Sequence, residues 1–280
     1  MNQSLNPLRQ YFRQPAIYIR LPSGGQFWAE GSLQMPVNQE LPVLPMTAID
    51  EITYRTPDAL YNGQAVVSVI ESCLPNVKDA WQCPTVDLDT ILVAIRIASF
   101  GHSMSMTTKC PKCSNEADYE VDLRNIIDNL KPADYSRIVE LPEMQIYFKP
   151  LSYKQTTDNS IKQFEEQKVL NVIPDSDLSE EEKLARLNQA VSKLTELTVD
   201  TLSQCISMIR TASAQVVEPE YIYEFLKNAS SQTFNQIRDH VIALRESNEI
   251  RPLQITCSEC SNNYEQAITL DQASFFGNAS

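Results

Sequence analysis

Histidine and glycine are scarce in this chain: it has two of the first and six of the second in 280 residues. With only His102 and His240 able to titrate near neutrality, acid–base catalysis has few candidates. A glycine-rich phosphate loop is missing too. The "SGG" at Ser23–Gly25 is not followed by Lys-Ser/Thr and a helix. Neither Gly-x-Ser-x-Gly nor His-Glu-x-x-His occurs. No apolar run approaches the roughly 18 residues that a membrane span requires. The opening "MNQSLNPLRQYFRQPAIYI" has no continuous apolar stretch and no small-residue cleavage site, so a cytoplasmic setting is expected. Positive charge is short as well, with 23 basic against 36 acidic residues and a net charge of −13. Such a surface repels a phosphate backbone, which makes nucleic acid a poor partner. Arg9, Arg13 and Arg20 could form a local basic patch, but they read more simply as solubilising charge. Nothing marks a small-molecule substrate site, and the chain is expected not to be an enzyme.

What remains is a composition, 42% hydrophobic and 21% charged, suited to a folded chain large enough for one large domain or two modest ones. Seven cysteines are present. An odd count in a reducing compartment makes disulfides improbable. Cys73 in "AVVSVIESCL" and Cys205 in "LSQCISMI" read as small buried hydrophobes, and Cys83 in "WQCPT" as a loop cysteine with no histidine to activate it.

The other four come in two pairs, Cys110/Cys113 in "MSMTTKCPKCSNEADYEVDL" and Cys257/Cys260 in "PLQITCSECSNNYEQAITL". Each passage has a short β-prone run, then Cys-x-x-Cys, a Ser-Asn tip and an aromatic–acidic return strand. A Cys-x-x-Cys turn brings two thiolates to one side of the backbone, where they can share a cation at about 2.3 Å. One such knuckle is half a tetrahedron, and two facing knuckles complete it. Four thiolates select zinc over calcium or magnesium. The expected ligands are therefore Cys110, Cys113, Cys257 and Cys260, holding one structural Zn2+ per chain. A thioredoxin-type redox pair would need a strand–helix setting that neither pair has; disulfides and chance pairs of buried cysteines are the other competing readings. About 140 residues separate the pairs, against ~15–20 in a compact zinc ribbon. Either the halves belong to different sites, or one ribbon carries a long insertion.

The intervening segment reads as mostly helical. "MQIYF" alternates as a strand near 143–149, with Met144, Ile146 and Phe148 on one face and Pro150 ending it. Ser179 and Glu182 form a capping box that opens a long amphipathic helix, with apolar residues recurring from Leu184 through Ile206 and Ile209. Pro219 starts another helix, and Phe234, Ile237, Val241 and Leu244 stripe a further one. His240 lies beside that stripe and is not expected to be a metal ligand. Such an excursion is cheap to close, because loop entropy grows only logarithmically with length. A metal would clamp its base.

The fold class expected is α+β and mainly helical, with a zinc-ribbon-like pair of β-hairpins split by the helical insertion. Its parts are an extended or β-rich segment over 1–57, a helical core over 58–105, a split module of 106–123 plus 251–275, and an insertion over 124–250 with one strand. Helix signals begin around Asp58, and "TVDLDTILVAIRIASFG", closed by Gly101, reads as the central buried helix.

The order of motifs then adds a resemblance. Leu21–Gly25 ("LPSGG"), Pro45–Tyr54 ("PMTAIDEITY"), Ala94–Gly101 ("AIRIASFG") just before the first Cys-x-x-Cys, and a second knuckle with a Phe-Phe ending resemble hub-associated members of the T4-like bacteriophage baseplate family. The resemblance covers Ile17–Leu123 and Cys257–Gly277; the helical middle holds no matching motif. It implies a component of a contractile-tail baseplate in its hub or wedge region, assembled in the host cytoplasm and carried in the virion. Its partners would be other baseplate and tail proteins. An assembly chaperone that leaves the particle is the nearest alternative. A zinc-ribbon adaptor for nucleic acid or polymerase is an alternative of another class.

Overall fold

A computed structural model of the chain describes residues 6–56, 61–130, 134–173 and 179–267. The chain divides into two compact units. One comprises Met1–Ala80, Asp87–Lys131 and Glu249–Ser280; the other comprises Trp81–Val86 and Pro132–Asn248. The class is α+β, with small antiparallel sheets among eight α-helices in the described residues.

In the first unit, β1 (Ile17–Ile19) pairs antiparallel with β2 (Leu41–Val43). Leu41 and Val43 alternate inward and are fully buried. The next element, α1 (Ala48–Tyr54), corrects the expectation of an extended segment through residue 57. Its signal is local: Thr47 and Asp50 form a reciprocal capping box, satisfying two backbone N–H groups that would otherwise lack partners. Asp58, where helix signals were expected, lies outside the described residues. Then α2 (Gln64–Cys73) buries Ala65, Val66, Val67, Val69, Ile70 and Cys73, and α3 (Thr85–Phe100) buries Ile91 through Ile95. Gly101 ends α3 at φ +86°, a conformation that costs a side-chain-bearing residue about 1 kcal/mol. The central apolar helix expected from the sequence is therefore present, and a short helix, α4 (Arg124–Asn129), lies further along the same unit.

Two polar ties fasten the N-terminal segment. Arg13 Nη1 donates to Pro45 O at 2.6 Å and to Asp50 Oδ2 at 3.2 Å, while Nη2 donates to Ser72 O at 2.6 Å and Ser72 Oγ at 2.8 Å. Arg13 is thus a cross-brace between the β2–α1 connection, α1 and α2 rather than a solubilising charge. The fully buried Asp87, at the start of α3, accepts from Ser23 N at 2.8 Å, Ser23 Oγ at 2.5 Å and Trp28 Nε1 at 2.8 Å. Gly24 and Gly25 turn at φ +63° and +84°, so "SGG" wraps a buried carboxylate.

The second unit is built on a sheet of order β5-β6-β7-β8, comprising Val139–Leu141, Met144–Phe148, Ile206–Thr211 and Gln215–Val216, antiparallel throughout. Met144, Ile146 and Phe148 do share a face, and Ile146 and Phe148 are buried. Three further strands accompany the one expected. Ile206 and Ile209, read as the tail of a long helix, lie in β7 instead. The helix α6 (Glu180–Gln204) stops at its cap, Cys205, and the β-branched residues that follow pair with β6. Apolar spacing alone cannot separate these readings, since Ile suits both a helix stripe and a half-buried strand.

The helix α5 (Tyr153–Val172) carries no clear apolar stripe to mark it in the sequence, although Ser152 and Gln155 cap it reciprocally. The capping box at Ser179 and Glu182 opens α6 as expected. Pro219 starts α7 (Pro219–Asn228), and α8 (Ser231–Glu246) turns Ile237 and Leu244 into the core. With Ile146, Phe148, Leu202, Ile206, Ile209, Ile222 and Leu226 they form one cluster, each such side chain contributing roughly 1.5–3 kcal/mol on burial.

A candidate four-cysteine metal centre

Two β-hairpins of the first unit carry the four paired cysteines. β3 (Ser103–Lys109) and β4 (Glu116–Asp122) flank Cys110 and Cys113. β9 (Leu253–Thr256) and β10 (Asn263–Gln266) flank Cys257 and Cys260. The knuckles are built alike. Cys110 N donates to Asn115 O and Ser114 N to Cys110 O, both at 2.9 Å; Cys257 N donates to Asn262 O at 2.9 Å and Ser261 N to Cys257 O at 3.0 Å. The serine after each second cysteine is left-handed, with φ +59° at Ser114 and +52° at Ser261. That single residue reverses the chain, so the return strand can pair while both sulfurs stay on one side.

The likeness extends up the strands. Thr107 bonds Asp118 at 2.6 Å, and Gln254 bonds Glu265 at 2.7 Å, in the matching position. Two residues nearer the knuckle on each hairpin, Lys109 pairs with Glu116 at 3.8 Å, and Thr256 bonds Asn263 at 2.7 Å. The internal repeat read from Cys-x-x-Cys therefore includes the cross-strand pairs, visible in sequence only once the register is known. The hairpins also bond each other. Thr108 Oγ1 lies 3.0 Å from Tyr264 Oη and 3.1 Å from Gln266 Oε1, and Tyr119 Oη donates to Thr256 O at 3.4 Å. None of these five residues was given a role from the sequence.

All four sulfurs lie within 4.8 Å of one another, a group able to hold a metal ion. Cys110 Sγ stands 3.7 Å from Cys260 Sγ, and Cys113 Sγ 3.6 Å from Cys257 Sγ. Tetrahedral coordination with metal–sulfur bonds of 2.3 Å requires a sulfur–sulfur separation of about 3.8 Å. A disulfide, at about 2.05 Å, is far shorter. The two halves, 144 and 150 residues apart in sequence, are thus brought to one place, and His240 is not among them. Cys110 and Cys257 are buried, Cys260 is half-buried and Cys113 is exposed.

The sulfurs and the nearby amides act on one another's ionisation. The N–H of Cys113, and then that of Lys112, favour the Cys110 thiolate and bring it to about 6. The N–H of Asn115 likewise favours the Cys113 thiolate, but the sulfurs of Cys260, Cys110 and Cys257, together with partial desolvation, outweigh it and push Cys113 up to about 12. Four thiolates this close repel one another unless a cation lies between them. The remaining cysteines are elsewhere. Cys73, Cys83 and Cys205 are all buried, and burial raises Cys73 to about 12 and Cys205 to about 11.

Fold and site together define a class: an α+β protein in which two β-hairpins, far apart in sequence, meet at a four-cysteine cluster able to hold a metal ion. Within that class, the chain belongs to the T4 bacteriophage base plate protein family, whose profile matches residues 34–277. The matched segment begins after Leu21–Gly25 and runs through the helical middle, where the sequence offered no motif of the family. No curated protein and no solved structure matches the chain significantly. No helix among the described residues is long and apolar enough to cross a membrane.

Proposed function

We propose that this chain is a structural subunit of a contractile phage tail baseplate, in its hub or wedge region, with Cys110, Cys113, Cys257 and Cys260 holding one structural Zn2+. The observation that carries the metal assignment is the set of four sulfurs within 4.8 Å of one another, two pairs of them at 3.6 and 3.7 Å, on two equivalent knuckles. All-thiolate donors favour zinc, and four of them leave no coordination position for a reacting water. The zinc therefore acts as a cross-link and not as a catalyst, and the chain works through protein–protein contacts with other baseplate and tail proteins. It is assembled in the host cytoplasm and retained in the virion. Membership of the base plate family supports the location, and the net charge of −13 disfavours nucleic acid as the partner.

Two measurements test this. Quantitative proteomics of purified particles should find the chain at a fixed copy number. Absence from particles would replace the subunit by an assembly chaperone. Elemental analysis of the purified protein should find about one zinc per chain; none, or two, would overturn the shared site.

A further inference from the structure

The second unit contains a cleft of about 560 Å³ between α5, α6 and α8. Three helical stretches wall it: Thr156–Gln167 of α5, Leu194–Leu202 of α6 and Arg238–Arg245 of α8. At 1.5 Å per residue the α5 wall is about 16 Å long, the length of three helical turns. Leu194, Leu197 and Val241 line it half-buried, next to Phe148 and Leu244 of the buried core cluster. Ile242, on the same wall, leaves 43% of its surface exposed.

Charge sets this cleft apart from the rest of the molecule. In a chain with 36 acidic residues, the described residues lining it include Lys149, Arg238 and Arg245 and not one carboxylate. Arg238 pairs with its neighbour Asp239 at 2.8 Å; Lys149 and Arg245 take part in no ion pair among the described residues. Burial pushes the Cys205 thiol, also on the cleft wall, up to about 11 against the opposing pull of Arg245 and Lys149, so both cations stand close to it. Thr156 lines the cleft as well, and its sheltered hydroxyl has no hydrogen-bond partner among the described residues.

We propose that this cleft receives an acidic amphipathic helix from another protein. Apolar side chains spaced i, i+3 and i+7 would seat along Leu194–Leu202 and Val241–Leu244, with carboxylates against Lys149, Arg238 and Arg245. Helix-in-groove recognition needs a long apolar trough with polar groups at its margins. Opposite charge across the rim selects the partner and speeds its arrival. The inference rests on the reading of the chain as a scaffold acting through protein contacts, but it does not depend on the metal.

The test uses the full-length protein and a fluorescently labelled synthetic helix with Leu at i, i+3 and i+7 and Glu elsewhere. A counterpart with Lys in place of Glu is the control. Fluorescence anisotropy should show binding of the acidic peptide alone, weakening as salt rises. The double reversal Arg238→Glu/Arg245→Glu should weaken it by about tenfold or more and favour the Lys peptide. Thr198→Trp, which fills the trough without changing charge, should also weaken binding; it carries the test if the reversal fails to fold by circular dichroism. No binding, equal binding of both peptides, or indifference to these substitutions would overturn the proposal. So would binding of dodecanoate in place of the peptide, which would make the occupant a lipid. Self-association abolished by the reversal would also overturn it, by making the occupant a second copy. Particle copy number and zinc content are read separately on the same preparation, so failure here is distinguishable from failure of the baseplate or metal assignment.

Discussion

Cys113 Sγ and Cys257 Sγ stand 3.6 Å apart although 144 residues of chain separate them. Bridging them by a metal removes the entropy of a loop that long from the unfolded chain, about 5 kcal/mol if treated as a covalent cross-link. Chelation, or Cys260→Ser, is expected to release the metal and lower unfolding free energy by at least that order. Guanidinium titrations with and without chelator, paired with elemental analysis, check this. Equal midpoints in both arms would show that no cross-link exists.

Ser114 and Ser261 hold the left-handed position of their knuckles at φ +59° and +52°. Glycine adopts that conformation freely, while a side chain costs about 1–2 kcal/mol. Ser114→Gly and Ser261→Gly should therefore be neutral or stabilising by a few tenths to about 1 kcal/mol. Ser114→Val should destabilise by more than 1 kcal/mol, roughly, because a β-branched residue resists φ > 0. Thermal melts of the three metal-loaded variants decide it, and a stable valine variant would sink the argument.

Asp87 accepts three hydrogen bonds with no solvent exposure. Asp87→Ala would strand two donors of Ser23 and the Trp28 indole N–H, at about 1–3 kcal/mol for each that finds no water. A loss of roughly 3 kcal/mol is expected, with fluorescence of Trp28 shifting toward that of a freed indole. Ser23→Ala should cost less, because it removes one donor and leaves the carboxylate two.

Asp89 gives a pH dependence of defined sign. Burial, then the charge of Glu249, pushes its carboxyl from 3.8 up to about 6. A folded-state value above the unfolded one means that the native protein holds the proton more tightly. The stability it contributes is full below about 4, falls as pH rises, and is gone above about 6. Asp89→Asn should flatten that stretch of the profile and stabilise the protein at pH 7. The gain is on the order of 2 kcal/mol once partial exposure is allowed for. Urea denaturation of both proteins at pH 4.5, 6 and 7.5 measures the difference. Identical profiles would contradict it.

Much was legible without coordinates because it was local. The capping box at Ser179 and Glu182, Pro219 at the start of α7, Gly101 at the end of α3 and the apolar stripe of α8 each act within a few residues. Chain-local energetics suffice to place them. Where two readings share one apolar pattern, the sequence misled: Ile206 and Ile209 suit a helix stripe or a strand, and only pairing with β6 settled the matter. α5 passed unnoticed because its helix is held by caps and a neighbour, with little apolar periodicity to announce it.

The four cysteines mark the division most clearly. Their type and spacing by themselves marked each pair as able to supply half of a metal site, since two thiolates on one turn are a property of local backbone geometry. Whether the halves met was not local. It depended on two hairpins bonding each other through Thr108, Tyr264 and Gln266, contacts whose partners lie more than 150 residues apart. The same holds for Arg13, whose guanidinium reads as surface charge until the β2–α1 connection, α1 and α2 close around it. Tertiary structure decided these points because a polar side chain's role is set by which distant groups satisfy it, and one-dimensional spacing carries no record of them.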